Sequence, residues 1–295
     1  MNDNFLIIVN PLSGNGKPLK VLRVVKKVFD ENSVKYSVLI SSSKECVEDF
    51  LSSGVKEGFK RLLLLGGDGT VNEALQHIVD RKDLIIAVLP VGSGNDMAKN
   101  IGFKPPFRKE YIYGILNGEE KAIDIGVCNG RYFSNAVGIG FDAKVAFDYN
   151  KSLFLRGKAK YLFQIFKNIV FYKSRQMEIK DFLPLQRVFL ISIGNGKTTG
   201  GGVPLTLNAE IDDGLLDVCV IKETGIFERV QNLSKGLKGE HLSLPFVKYF
   251  QSDSLKIKAE TEMIAHIDGE IFKAADFEIS ILPSKVKFLF NKLKN

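Results

Sequence analysis

Short, wholly apolar runs alternate with amphipathic segments through the first part of the chain. Phe5-Leu6-Ile7-Ile8-Val9 has strand length, and Pro18–Glu31 then carries Val21, Val24, Val25 and Val28 at helical spacing. Lys35–Ile40, Arg61–Leu65 and Leu84–Leu89 supply further strands, and Lys44–Lys56, Val71–Asp80 and Asp96–Ile101 further helices. This βα alternation predicts a mostly parallel, three-layer α/β domain.

After about Lys121 the pattern changes to strands separated by turns. Asn129-Gly130 between Ile123–Cys128 and Arg131–Val137 is a two-residue hairpin signal. Met177–Phe182, Arg187–Ile193, Leu215–Ile221, Leu255–Ala259, Met263–Ile267 and Phe277–Leu282 are the other strand candidates. They predict an antiparallel β-sandwich, interrupted by helical insertions at Leu153–Tyr172 and Ile226–Leu237. The domains therefore span 1–123 and 124–284, and 285–295 has the pattern of neither a strand nor a helix.

Two strand ends carry candidate chemistry. Gly66-Gly67-Asp68-Gly69-Thr70-Val71-Asn72-Glu73 follows Leu62-Leu63-Leu64-Leu65 and precedes a helix. Glycines at such a junction let backbone N–H groups approach a polyanion, and the helix offers its positive end to the same charge. Asp68 beside those phosphates has two uses, holding Mg²⁺ or taking a proton from an attacking hydroxyl. Pro90-Val91-Gly92-Ser93-Gly94-Asn95-Asp96 follows a second apolar run, which places both loops on the carboxyl edge of one parallel sheet, where ligands of open α/β sheets bind. Ser13-Gly14-Asn15-Gly16-Lys17 lacks the spacing of a Walker A loop, so a nucleotide would be held by other means.

These two loops, with Asn10-Pro11-Leu12-Ser13-Gly14, resemble those of the bacterial soluble diacylglycerol-kinase and lipid-kinase family, whose eukaryotic relatives phosphorylate sphingosine and ceramide. The likeness covers nearly the whole chain. Gly-Gly-Asp-Gly-Thr by itself also admits NAD kinases and phosphofructokinases; the continuation to Asn72-Glu73 and the Gly-Ser-Gly-Asn-Asp loop discriminate. The resemblance implies an N-terminal α/β domain of the NAD-kinase/phosphofructokinase kind and a C-terminal β-sandwich, with the tail returning to the first domain. It implies ATP-dependent transfer of a phosphoryl group to a lipid hydroxyl, diacylglycerol to phosphatidic acid foremost. Another acceptor (a sphingoid base, another glycerolipid or NAD) and a non-catalytic nucleotide-binding regulator are the alternatives.

On that resemblance, Asn10, Pro11, Ser13 and Gly14 lie at the phosphates and Gly66, Gly67, Asp68, Gly69 and Thr70 wrap them. Ser93 bonds nearby, Asn72 and Glu73 face the nucleotide from the helix, and Ser41 matches a nucleotide-contacting hydroxyl. Asp68, Asp96 and Asp124 are the candidates for a catalytic Mg²⁺, partly through water, and Glu210, Asp213 and Leu215 resemble a structural Mg²⁺ loop. Glu270 of Asp268-Gly269-Glu270 resembles the acceptor of the lipid hydroxyl's proton, a role that sphingosine-kinase relatives give to the residue matching Asp68. The turn residues also have plain readings: Asn10 and Ser41 as turn or cap residues, Asp96 as an N-cap, and Asp268-Gly269 as a hairpin.

Composition narrows the partners. The 295 residues are 45% hydrophobic and 25% charged, a globular balance, and the net charge of +7 favours an anionic partner. Tyr149–Met177 concentrates that charge in Lys151, Arg156, Lys158, Lys160, Lys167, Lys173 and Arg175, interleaved with Phe154, Tyr161, Phe163, Phe166, Phe171 and Tyr172. A basic aromatic helix suits an anionic membrane surface, and equally a helix packed on the sandwich with a solvated basic face. No nucleic-acid module accompanies the charge. Cys46, Cys128 and Cys219 are isolated, which fits a reducing cytoplasm, and no apolar run is long enough to cross a bilayer. The expected location is therefore cytoplasmic and peripheral to the inner face of the membrane, with the oligomeric state open and a homodimer one option. His77, His241 and His266 have no metal-ligand spacing and read as surface or sheet residues.

Overall fold

A strand that is apolar at every position needs cover on both faces, and a parallel sheet flanked by helices supplies it. The computed structural model, which describes residues 4–41, 45–151 and 157–292, divides into two units, Met1–Asp124 with Ser284–Asn295, and Ile125–Pro283. In the first unit β1 (Phe5–Val9), α1 (Lys17–Glu31), β2 (Tyr36–Ile40), α2 (Glu45–Lys56), β3 (Arg61–Gly66), α3 (Asp68–Ile78), β4 (Ile85–Pro90), α4 (Asp96–Asn100) and α5 (Glu110–Leu116) follow one another. These strands lie in the order β2-β1-β3-β4, all parallel. Phe5 aligns with Tyr36 and Arg61, and Arg61 with Ile85, so the carboxyl ends Val9, Ile40, Gly66 and Pro90 share one edge. All of β1 is buried, and α1 turns Val21, Val25, Val28 and Phe29 inward.

β5 (Glu119–Cys128) leads from the first unit into the second. There follow β6 (Arg131–Phe133), β7 (Ala136–Gly140), α6 (Phe141–Lys151), α7 (Gly157–Phe171), β8 (Arg175–Ile179), β9 (Leu183–Gly194), β10 (Leu216–Lys222), α8 (Ile226–Lys238), β11 (Val247–Ser252), β12 (Ser254–Ile267) and β13 (Glu270–Phe290). The order β11-β10-β9-β7-β12-β13 is antiparallel throughout. β12 shifts register between Lys258 and Met263, which lets its first half pair with β8 and its second with β7. β9 pairs with the same two strands. The core between them holds Val137, Ile191, Ile193, Val218, Ala265 and Phe277. Asn129 (φ 48°) and Gly130 (φ 76°) make the β5–β6 hairpin turn that the sequence predicts.

Several elements differ from their predicted form. The expected strand Arg131–Val137 breaks into β6 and β7 because the N–H groups of Ser134, Asn135 and Ala136 turn to the Asp268 carboxylate. Leu255–Ala259 and Met263–Ile267 are one bent strand. α5, α6 and β11 had no predicted counterpart; α6 starts at the end of β7, on a Gly140 with φ 94°. The tail, expected to have neither pattern, is strand as far as Phe290. Its Lys287 and Phe288 pair in parallel with Ile85 and Ile86, and Asn291 bonds the backbone of Ile101 and Gly102. That partner lies some 200 positions earlier in the chain, beyond any local pattern. Among the described residues no helix is long and apolar enough to cross a membrane.

Candidate active site

Parallel register brings the loops after β1, β3 and β4 to one edge, and their small residues let them touch. Asn10 closes the first loop: its Oδ1 accepts from the Leu12 N–H at 3.0 Å and its Nδ2 donates to Thr70 Oγ1 at 3.2 Å. Gly14 takes φ 52°, and a Cβ there would lie 2.0 Å from the Val91 carbonyl oxygen. A Cβ on Gly92 would lie 2.4 Å from Gly67 Cα, so the β3 and β4 loops run backbone against backbone. Asn95 holds the second of these in place from φ 57°, accepting from the Gly92 N–H at 2.7 Å and donating to its carbonyl at 2.9 Å. Gly66, Gly67 and Gly69 are not in the left-handed region. Gly66 is needed for room, since its Cβ would strike the Thr70 side chain at 2.2 Å.

The sequence-predicted residues take distinct places on this edge. Asp68 opens α3, and its Oδ1 accepts from the Met97 N–H at 3.2 Å, joining it to the first turn of α4. Asn10, Ser41, Thr70 and Glu73 line one small pocket. Ser13 and Pro11 are half-buried, Ser93 and Gly69 exposed, and Asn72 is buried beneath the loop. Asp96 is buried and paired with Lys99 at 2.8 Å, and Asp124 Oδ1 accepts from the Ser284 N–H at 2.7 Å. Among the described residues no three His, Cys, Asp or Glu side chains gather to hold a metal. Asp68 and the buried Asp96 are the carboxylates at this edge that could hold a metal ion carried by phosphates, which needs only one or two protein ligands.

In the second unit Asp268 is an anchor. Its carboxylate accepts from the N–H groups of Ser134 (2.9 Å), Asn135 (3.1 Å) and Ala136 (2.8 Å) and from the Ser134 hydroxyl (3.3 Å). Asp268 (φ 49°) and Gly269 (φ 91°) form the turn, and Glu270, exposed, begins β13. Asp213 Oδ1 accepts from the Leu215 N–H at 3.0 Å, the turn bond of an Asp-Gly loop, with Glu210 exposed beside it.

Three features were not foreseen. A cavity of about 100 Å³ opens among α6, α7, α8 and β9, lined by Phe141, Val145, Ile165, Ile169, Phe189 and Leu233. Burial holds the His241 imidazole on its wall below its ordinary range, and pushes the adjoining Tyr172 hydroxyl up to about 12, so both stay uncharged at neutral pH. His266 is the sheet residue its pattern allowed, on β12, but it is buried against Asp142 at 2.9 Å. Only spatial contact shows these, because their members are scattered over some hundred positions. The basic segment is two-sided, as Ile165 and Ile169 of α7 face the core while Phe163, Phe166 and Phe171 are 54%, 59% and 77% exposed. Lys160 lies over the Tyr149 ring and Lys167 stands 3.9 Å from Asp148. Phe154 and Arg156 lie outside the described residues, as does the Lys158 side chain. Burial pushes the Cys128 and Cys219 thiols up to about 12, which makes them inert.

Residues 4–128 match the diacylglycerol kinase catalytic domain, and residues 135–290 the YegS C-terminal NAD kinase beta sandwich-like domain. The chain belongs to the bacterial diacylglycerol kinase and YegS-like lipid kinase family, whose phosphoryl donor is ATP. It is 30% identical to a "Probable lipid kinase YegS-like" of Shewanella frigidimarina (strain NCIMB 400), over 93% of this chain and 91% of that one. It is 26% identical to the diacylglycerol kinase of Bacillus subtilis (strain 168), over 90% and 88%. A solved structure of a diacylglycerol kinase from Bacillus anthracis str. Sterne shares the fold, with a TM-score of 0.73 at 21% identity over 98% and 97% of the two chains.

Proposed function

We propose that this lipid kinase transfers the γ-phosphoryl group of ATP to the free hydroxyl of diacylglycerol, giving phosphatidic acid and ADP. The reading rests chiefly on the mutual packing of Gly14, Gly67, Gly92 and Asn95, which brings the loops after β1, β3 and β4 together beside Asp68 at the head of α3. A helix N-terminus fixed before the ligand arrives suits an anion whose charge spreads in the transition state. Asn10, Ser41, Thr70 and Glu73 would hold the nucleotide. Mg²⁺, brought with the phosphates, would neutralise their charge, with Asp68 its first protein ligand and Asp96 and Asp124 acting through water.

Glu270 is the proposed general base. The acceptor oxygen bonds to the γ-phosphorus as the bond from that phosphorus to the bridging oxygen of ADP breaks, and the hydroxyl proton passes to the Glu270 carboxylate. The apolar cavity supports an acyl-bearing acceptor. The exposed Phe163, Phe166 and Phe171 beside Lys160 and Lys167 support peripheral docking on the anionic inner face of a membrane. Another lipid acceptor is the second reading, in keeping with the Shewanella relative's name as a probable lipid kinase.

Radiolabelled phosphate from ATP, offered with diacylglycerol micelles and separately with a bacterial lipid extract and NAD, should appear in phosphatidic acid. Label only in another lipid selects the second reading, and label only in NAD rejects both. Glu270→Gln should lower turnover at least about a hundredfold with unchanged ATP affinity, the range general-base catalysis contributes. Asp68→Asn should lose Mg-ATP binding together with turnover. A Glu270→Gln enzyme of normal turnover, beside an Asp68→Asn enzyme that binds Mg-ATP and is dead, would make Asp68 the base.

A further inference from the structure

Asp268 ties the turn bearing Glu270 down on one side, and a second device holds it on the other. The Gly269 N–H donates to His266 Nδ1 at 3.3 Å. A ring nitrogen that accepts carries no proton, so the neutral imidazole bears its proton on Nε2. Nε2 lies 2.9 Å from Asp142 Oδ2 and donates to it, and both side chains are almost wholly buried. Asp142 Oδ1 accepts in turn from the Tyr161 hydroxyl at 3.3 Å. Asp142 and Tyr161 both line the apolar cavity.

The sheet makes room for this pair. Gly138 lies opposite His266 across β7 and β12, and a Cβ on it would come within 2.3 Å of His266 Nε2 and 2.5 Å of Asp142 Oδ2. Gly138 is outside the left-handed region, so what it supplies is space rather than backbone freedom. A buried carboxylate, an imidazole in one tautomer and a glycine cut away beneath them end on the amide next to Glu270.

We propose that Asp142 and His266 are a positioning pair for phosphoryl transfer: they set the Asp268–Glu270 turn, and Tyr161 ties that setting to the wall of the apolar cavity. The proposal rests on the reading of Glu270 as the proton acceptor. Glu270 is exposed and long, so its aim depends on the turn below it, and misplacement by about 1 Å can cost on the order of a hundredfold in rate.

The test uses the full chain, with amide hydrogen exchange at Gly269 and steady-state kinetics read in parallel. His266→Gln keeps a donor near the Nε2 position and loses the acceptor for Gly269, whereas His266→Asn keeps an acceptor near the Nδ1 position. In His266→Gln, Gly269 exchange should quicken at least about tenfold and kcat fall at least about tenfold, with the KM for ATP unchanged. His266→Asn keeps that acceptor but cuts the link to Asp142, so it should recover both only in part. Gly138→Ala leaves every partner in the chain but drives the pair apart, and should repeat the His266→Gln result if that variant fails to fold. Unchanged Gly269 exchange in His266→Gln and Gly138→Ala overturns the proposal, as does a kcat loss that His266→Asn shares in full. So does a His266→Asn enzyme of wild-type exchange and kcat, which would leave Asp142 with no part in the setting. Full turnover in Glu270→Gln would instead overturn the base assignment, a distinct result because the exchange reading requires no turnover.

Discussion

At the scale of single residues, two glycines of the loop-bearing sheet edge serve different ends and can be told apart. Gly92 is required by the protein, since a methyl there would meet Gly67 Cα at 2.4 Å, backbone against backbone, and the loops after β3 and β4 would have to separate. Gly69, exposed in the first turn of α3 and outside the left-handed region, is tolerant of a side chain as far as the fold is concerned. Gly69→Val should therefore leave the melting temperature within a few degrees yet weaken ATP at least about tenfold, roughly 1.4 kcal/mol. Gly92→Ala should lose both stability and ATP affinity. Calorimetry giving wild-type ATP affinity for a folded Gly69→Val chain would place the phosphates elsewhere. The motif glycines were readable in the sequence. Their reasons were not, because a Cβ collision between positions 67 and 92 exists only once β3 and β4 are paired.

Among the elements, α7 has described residues whose composition and environment disagree. A helix on a water-exposed surface normally turns one apolar stripe inward. α7 buries Ile165 and Ile169 yet leaves Phe163, Phe166 and Phe171 outside, next to basic side chains. Large exposed aromatics beside Lys are what an anionic lipid interface accommodates, each nearby cation contributing on the order of 1 kcal/mol. Phe163→Ser with Phe166→Ser should abolish most sedimentation with phosphatidylglycerol vesicles. Lys160→Gln with Lys167→Gln should weaken it and flatten its salt dependence. Turnover of a short-chain soluble acceptor should survive in both. Vesicle binding equal to wild type in all four substitutions would make α7 a packing helix and nothing more.

For the whole molecule the tail is the feature that sequence order hides. Val286, Phe288 and Leu289 are buried beside β4, and burial of such side chains contributes about 1.5–3 kcal/mol each. The sum is comparable with the roughly 5–15 kcal/mol that separates a native domain from its unfolded chain. A chain ending at Ser284 should accordingly fail to give a cooperative thermal transition for the first unit, monitored by circular dichroism. Retention of the full transition would mean that the β2-β1-β3-β4 sheet is stable without its fifth member.

Sequence alone determined the βα alternation, the change to turn-separated strands after Lys121, the two glycine loops and their place on one sheet edge, because each follows from local periodicity or from contiguous motifs. It also held the Asn129-Gly130 hairpin, whose φ values are a property of two adjacent residues. Tertiary structure alone decided what depends on distant partners: the strand identity of the tail, the break at Ser134-Asn135 under Asp268, the apolar cavity and the pairing of Asp142 with His266. The physical division is one of range. A backbone angle or an amphipathic face is written within a dozen residues, whereas a buried carboxylate finds its imidazole 124 positions away only when the sheet between them has closed.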